Sequence, residues 1–184
     1  MPPKGLVASR KRNHPLRFVS EALTDQHDLS QFSCGKEELD DWLRTSALHA
    51  AAMNTGRTFA WRADQRGVVA YFTLAAHLIA REQIPRKVGR GSPQMIPAVL
   101  LAKLALDESL AGQGLGGELL WDSLSRATAA SQQAAARLVV VDAIDDRAVS
   151  FYEHFGFTPL PGNPRRLVQK MSDIDAALAS GRTT

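Results

Sequence analysis

Four of the seven residues from Ala111 to Gly117 are glycine, and they stand between an apolar run and an amphipathic one. No other feature limits the fold as tightly. Pro97–Asp107 reads as a long strand. Leu120, Leu124 and Ala127 share one face of a helix that runs to about Ala130. A glycine turn from strand into helix presents unpaired backbone N–H groups at the positive end of the helix dipole, with no Cβ atoms in the way. Such a turn can bind a pyrophosphate. No Gly-Lys-Ser/Thr follows, so it is not a P-loop. Gly112, Gly114 and Gly117 satisfy G-x-G-x-x-G, but hairpins on both sides argue against a Rossmann unit.

The rest of the chain reads as mixed α and β. Leu16–Ser20 is a candidate first strand. Leu39, Trp42, Leu43 and Ala47 predict a helix from Glu37 to about Met53, stopped by Asn54-Thr55-Gly56. Thr58–Ala63 and Val68–Ala75 read as a hairpin, and Arg81–Pro97 as mainly loop. Leu138–Asp142 is a short apolar run typical of a buried central strand. Asp145 can cap a helix to His154, with Ala148, Phe151 and Phe155 as its buried stripe. Phe157 and Leu167–Met171 supply two last strands. The order predicts an α+β sheet with helices on both faces. We expect one domain over residues 16–175, a basic flexible tail at 1–15 and a C-terminal tail at 176–184.

With 45% hydrophobic and 22% charged residues, the chain is neither disordered nor fibrous. The most apolar stretch, Ile96 to Leu106, is cut by Lys103 and too short to span a bilayer. Cys34 is the single cysteine, so neither an internal disulfide nor a cysteine metal site is available, and the five histidines are scattered. We expect no metal. No apolar segment follows the basic N-terminal residues, so the expected location is the cytoplasm. The net charge is +3, yet residues 1–20 carry five basic and no acidic residues, leaving −2 for the remainder. Arg86, Lys87 and Arg90 form a second basic cluster, and Arg165 and Arg166 a third. Basic clusters on a near-neutral body suggest an anionic partner, nucleic acid first; a solvated tail and loop is the plainer alternative.

A second motif follows the glycine turn: Asp145-x-x-Ala148-x-x-Phe151-Tyr152-x-x-x-Gly156-Phe157. Tyr152 sits at the edge of the Phe151/Phe155 face and can point into a cleft; a half-buried, hydrogen-bonded tyrosine is the common alternative. Together the two motifs resemble the GCN5-related N-acetyltransferase superfamily, whose pattern is R/Q-x-x-G-x-G/A and then N-x-x-A-x-x-F-Y-x-x-x-G-F. Gly114 and Gly116 match the glycines, and Ala148, Phe151, Tyr152, Gly156 and Phe157 match the helix. Ala111 and Asp145 depart from it. His27-Asp28-Leu29-Ser30-x-Phe32-x-Cys34-Gly35, Arg57-Thr58-Phe59 and Tyr71-Phe72-x-Leu74 are similar to the acetyltransferase toxins of toxin–antitoxin modules. The resemblance spans about residues 16–172.

It implies a mixed, mostly antiparallel sheet flanked by helices on both faces. It implies acetyl-CoA as co-substrate, aminoacyl-tRNA as acceptor and a ribbon-helix-helix antitoxin as partner, with a homodimer as a further candidate. By the same resemblance Tyr152 is the general acid. Backbone groups of Leu104, Ala105 and Leu106 hold the acetyl-pantetheine arm, and Ala111, Gly112, Gln113, Gly114, Leu115, Gly116 and Gly117 hold the phosphates. Arg86, Lys87, Arg90, Arg165 and Arg166 are the candidate RNA contacts.

The chemistry agrees with that assignment. A phenol with a pKa near ~10 is protonated at neutral pH and can donate to a departing thiolate. An α-amine, at about 7.7–8.0, is partly neutral there, whereas a lysine at ~10.4 needs a base that no motif supplies. Cys34 has no partner to activate it and reads as a small buried residue capping the first helix. Two alternatives stand beside the toxin: an N-acetyltransferase of a protein or small-molecule amine, and a non-enzymatic coenzyme- or DNA-binding module.

Overall fold

The computed structural model describes residues 18–181. In chain order its elements are β1 (Glu21–Ala22), α1 (Glu37–Thr45), α2 (Ala47–Ala52), β2 (Arg57–Ala63), β3 (Gly67–Ala80), α3 (Arg86–Gly89), β4 (Met95–Leu106), α4 (Leu115–Gln133), β5 (Leu138–Asp142), α5 (Asp146–His154), β6 (Thr158–Leu160), β7 (Asn163–Lys170) and α6 (Met171–Ser180). The strands form one sheet in the order β1-β2-β3-β4-β5-β7-β6. Every neighbouring pair is antiparallel except β4 with β5. This is the α+β arrangement expected, and β5 is the buried central strand.

Side-chain alternation assigns the helices to two faces. Val139 and Val141 share a core with Leu119, Leu120 and Leu124 of α4, Tyr152 of α5 and Ile174 of α6; we call this the first face. Leu138 and Val140 point the other way, toward Val88 of α3. On that second face Ala60, Tyr71 and Ala105 meet Leu43 of α1 and Ala47 of α2. Trp61 is fully buried, and its indole N–H donates to Asp122 of α4 at 2.7 Å, pinning the helix to the sheet.

Four expectations change. The first strand is Glu21–Ala22; Phe18–Ser20 is not extended pairing, and residues 16 and 17, like the basic tail, lie outside the described residues. The first helix is two helices. Ser46 takes non-helical angles (φ −120°, ψ −26°), and the break turns Ala47 fully into the core against β2. The hairpin's second strand runs on to Ala80, so it outreaches β2. Met171 ends no strand but starts α6, whose Met171 and Ile174 are buried. Residues 176–180, expected as tail, are therefore the second half of a helix.

Candidate active site

The parallel pairing of β4 with β5 runs from Ala98↔Leu138 to Leu101↔Val141 and stops there, although β4 continues to Leu106. β5 meanwhile stays bonded to β7 as far as Asp142↔Arg166. The two strands therefore fork. A β-bulge sets the fork: opposite β3, Lys103 pairs with Thr73 and Leu101 with Leu74, leaving Ala102 as the extra residue.

Beyond the bulge, Asp107 N–H donates to Val69 O at 2.9 Å. Antiparallel partners alternate between bonded and non-bonded. Ala105, two residues back, thus turns its backbone to β3, and Leu104 and Leu106 turn theirs into the gap. Of the three strand residues expected to hold an acyl arm, two have backbone groups open to it, and Ala105 does not.

The glycines divide in two. Gly112 and Gly114 have φ of +74° and +76°, and a Cβ on either would meet nothing within 4 Å. Only glycine takes that backbone without strain, and the space before it is open. Gly114 is the N-cap of α4 and no side chain caps the helix. The N–H groups of Leu115, Gly116 and Gly117 have no intrahelical partner by their position in the first turn. Leu115 sends its side chain into the core, while Ala111 and Gln113 are exposed. Gly116 and Gly117 face α5 instead. A Cβ on Gly117 would lie 2.8 Å from Phe155 Cζ, and one on Gly116 3.7 Å from Phe151. Their small size brings α4 and α5 together.

That contact fixes α5, and α5 fixes Tyr152. The ring is buried, edge-on to Phe151 at 5.3 Å and Phe157 at 5.6 Å. Phe151 and Phe155, expected as the buried stripe, are only half-buried. The Tyr152 hydroxyl bonds no described residue, yet it is not among the polar atoms sealed from solvent. The other tyrosine, Tyr71, donates its hydroxyl to Leu39 O at 2.7 Å. Burial pushes the Tyr152 phenol well above its ordinary pKa, and the nearby Asp142 carboxylate adds to the effect. Asp145, where the family pattern has Asn, accepts from Ala148 N–H at 2.8 Å and meets Lys36 Nζ at 3.0 Å. It caps α5, and the backbone bond from Ala148 holds its carboxyl below the usual range.

On the second face the half-buried Ala75, His77 and Leu100 lie beside the zipped part of β4, where Ala75 pairs with Leu100 and His77 with Ala98. Arg166 donates twice to Asp142, at 2.7 Å each, and Arg165 reaches Asp146 at 3.2 Å. Two of the four arginines expected to contact RNA are thus paired with carboxylates. Arg86, Lys87 and Arg90 are exposed and make no ion pair with a described residue. Arg86 and Arg90 line a cleft of about 860 Å³ with Arg81, Glu82 and Gln94. Cys34 is not the helix cap, which is Lys36. Burial and the neighbouring Asp40 push its thiol up to about 12, so it stays protonated.

Sequence reasoning missed the bulge and its consequence for Lys103. The signal was present as a lone charge interrupting an apolar strand. Among the described residues no three His, Cys, Asp or Glu side chains are grouped to hold a metal, and no helix is long and apolar enough to cross a membrane.

Residues 45–169 match the family described as the acetyltransferase (GNAT) domain. A tRNA-acetylating toxin of Mycobacterium tuberculosis is 36% identical over 156 residues, which cover 85% of this chain and 93% of that one. The structure of AtaT complexed with acetyl-methionyl-tRNAfMet superimposes with a TM-score of 0.79 at 30% identity, covering 88% of this chain and 99% of that one. A mutant AtaT toxin bound to the C-terminus of the antitoxin AtaR and acetyl-CoA gives a TM-score of 0.74 at 28% identity, covering 88% and 98%.

Proposed function

The chain belongs to the GNAT acetyltransferase family, and from that premise we propose that it is a toxin that acetylates the α-amine of aminoacyl-tRNA and so blocks translation. The enzyme is an acetyl-CoA-dependent N-acetyltransferase. The observation that carries the fuller reading is the fork between β4 and β5, with a buried phenol on one face whose hydroxyl bonds no described residue. Likeness to a tRNA-acetylating toxin over 85% of the chain supports it.

The residues fit acetyl-CoA. Gly112 and Gly114 leave open the space that any other side chain would fill, before an uncapped helix N-terminus. Backbone N–H groups of Leu115, Gly116 and Gly117 are assigned to its phosphates, and those of Leu104 and Leu106 to its amide-bearing arm. When bound, the coenzyme supplies an acetyl group activated as a thioester. Tyr152 holds a proton at its hydroxyl and gives it to the leaving sulfur. Burial keeps that proton in place at any working pH.

The acceptor side favours an α-amine. His77 is half-buried on the second face, and its Nε2 is sealed from solvent. No side chain is assigned here as a base, and an amine partly neutral at pH 7 needs one less than a lysine does. Arg86, Lys87 and Arg90 are assigned to the phosphates of the tRNA acceptor arm. Arg165 and Arg166 contribute less, since each already has a carboxylate.

We place the protein in the cytoplasm, where charged tRNA is. A ribbon-helix-helix antitoxin is the proposed partner, and a second copy the proposed neighbour along β3. Beyond Leu74 that strand has no β2 partner, carries no Lys, Glu or Pro over Ala75–Ala80, and exposes Leu78. Cell-free translation with and without acetyl-CoA, followed by mass analysis of the aminoacyl-tRNA pool, tests the function. Acetyl-CoA-dependent arrest with N-acetylated aminoacyl-tRNA is expected. Arrest without acetylated product, or none, refutes it.

A further inference from the structure

The bulge at Ala102 does more than open the fork: it reverses the side-chain alternation of β4. Leu101 belongs to the first-face core, and in an unbroken strand Lys103 would follow it there, beneath α4. With Ala102 inserted, Lys103 instead shares the second face with Ala105 and Tyr71. It lies two residues past the last β4–β5 pair, at the rim of the gap and on the face opposite Tyr152. Its ammonium rests 5.7 Å from the centroid of the Trp42 ring. Trp42 is itself fixed by stacking on Tyr71, at 6.1 Å and 11° between planes.

Three other cations near the fork are neutralised. Lys36 meets Asp145, Arg165 meets Asp146 and Arg166 meets Asp142. Lys103 meets no described carboxylate; its contact is an aromatic face, which steadies a cation without cancelling its charge. A positive charge spared in this way, beside the place where an acyl group must be handed over, fits an anion carried by the acceptor.

We propose that Lys103, steered by Trp42, binds the phosphate of the acceptor's 3′-terminal nucleotide and so delivers the esterified amino acid to the fork. This rests on the reading of the acceptor as aminoacyl-tRNA. In that molecule the α-amine is tied through one ester to the terminal ribose, and the phosphate on the same ribose is the nearest fixed negative charge. With the amine in the gap, that phosphate falls on the second-face rim. Lys103 is a binding residue in this scheme, Trp42 a positioning one. The loop bearing Arg86, Lys87 and Arg90 holds phosphates farther along the arm.

The test compares two acceptors bearing the same amino acid: charged tRNA and an aminoacyl ester of adenosine that lacks the 5′-phosphate. For Lys103→Gln we expect KM for charged tRNA to rise about 10- to 100-fold, the worth of one hydrogen bond to a charged group, with kcat and acetyl-CoA affinity held. The loss on tRNA should exceed that on the adenosine ester at least tenfold. Lys103→Arg should recover most of it, and Trp42→Leu should raise KM for tRNA several-fold, with Trp42→Phe milder. Equal losses on both acceptors, a fall in kcat alone, or wild-type KM in Lys103→Gln overturns the proposal. Wild-type enzyme that acetylates small amines but no charged tRNA overturns instead the reading on which it rests.

Discussion

β4 is one strand with two lives. From Ala98 to Leu101 it is zipped to β5 on one side and β3 on the other, and its neighbours Leu138, Val139 and Val140 are fully buried. From Ala102 to Leu106 it keeps β3 and loses β5. The first half is a finished sheet with nothing left to bind. The second half leaves backbone donors and acceptors unspent, which is costly in a sealed core and useful where a ligand can complete them. The lesson is that this chain makes its site by stopping a sheet early. Changes in the open half should cost activity and spare stability, and changes in the zipped half should do the reverse.

The sharpest break of that contrast is Tyr152→Phe, which keeps the ring packing and removes the proton donor. Turnover should fall about 10²–10⁴-fold with acetyl-CoA affinity kept. Since the hydroxyl makes no internal bond, the melting temperature should hardly move. Near-normal turnover would leave Tyr152 as packing alone. Its counterpart in the zipped half is Leu138→Ala. Denaturant melts should show about 2–5 kcal/mol lost, with kcat intact wherever the protein stays folded. An equal loss of kcat would mean the two halves are not separable.

The glycine turn sharpens the comparison within one motif. Gly114→Val imposes a left-handed backbone on a β-branched residue and fills open space before the helix. Calorimetry should find acetyl-CoA affinity down tenfold or more, for a stability cost of about 1–2 kcal/mol. Gly117→Ala collides with Phe155. It should cost about 1–3 kcal/mol and lower affinity only through the shift of α4 against α5. Unchanged affinity in a folded Gly114→Val would reduce the turn to a connector.

The smallest effect is a titration. Both tyrosines have phenols pushed up chiefly by burial, Tyr71 as well as Tyr152. The native protein should show no tyrosinate absorbance where free tyrosine ionises, near ~10. A folded pKa raised above the unfolded one adds stability that is whole below the unfolded value and is lost as pH rises above it. Stability should therefore decline above about pH 10. A phenol titrating near 10 in the folded enzyme would mean that one ring is wetter than its packing implies.

Local chemistry made much of this legible without coordinates. The glycine run, the apolar Leu138–Asp142 strand and the Asp145 cap are written in adjacent residues, because turn angles, strand alternation and capping act over a few positions. Tyr152 was identifiable from its own motif. What the sequence could not disclose was anything that depends on two distant segments meeting. Gly112 and Gly117 look alike in the chain, and only the approach of α5 makes one a cradle and the other a packing contact. Arg166 and Lys103 are both basic, and only the register of β7 against β5 gives Arg166 a carboxylate partner. The extra residue at Ala102 is visible only once β3 lies beside β4. That single mismatch in strand length opens the fork and decides which face Lys103 serves, because side-chain direction in a strand is set by counting, and the count is fixed by the partner.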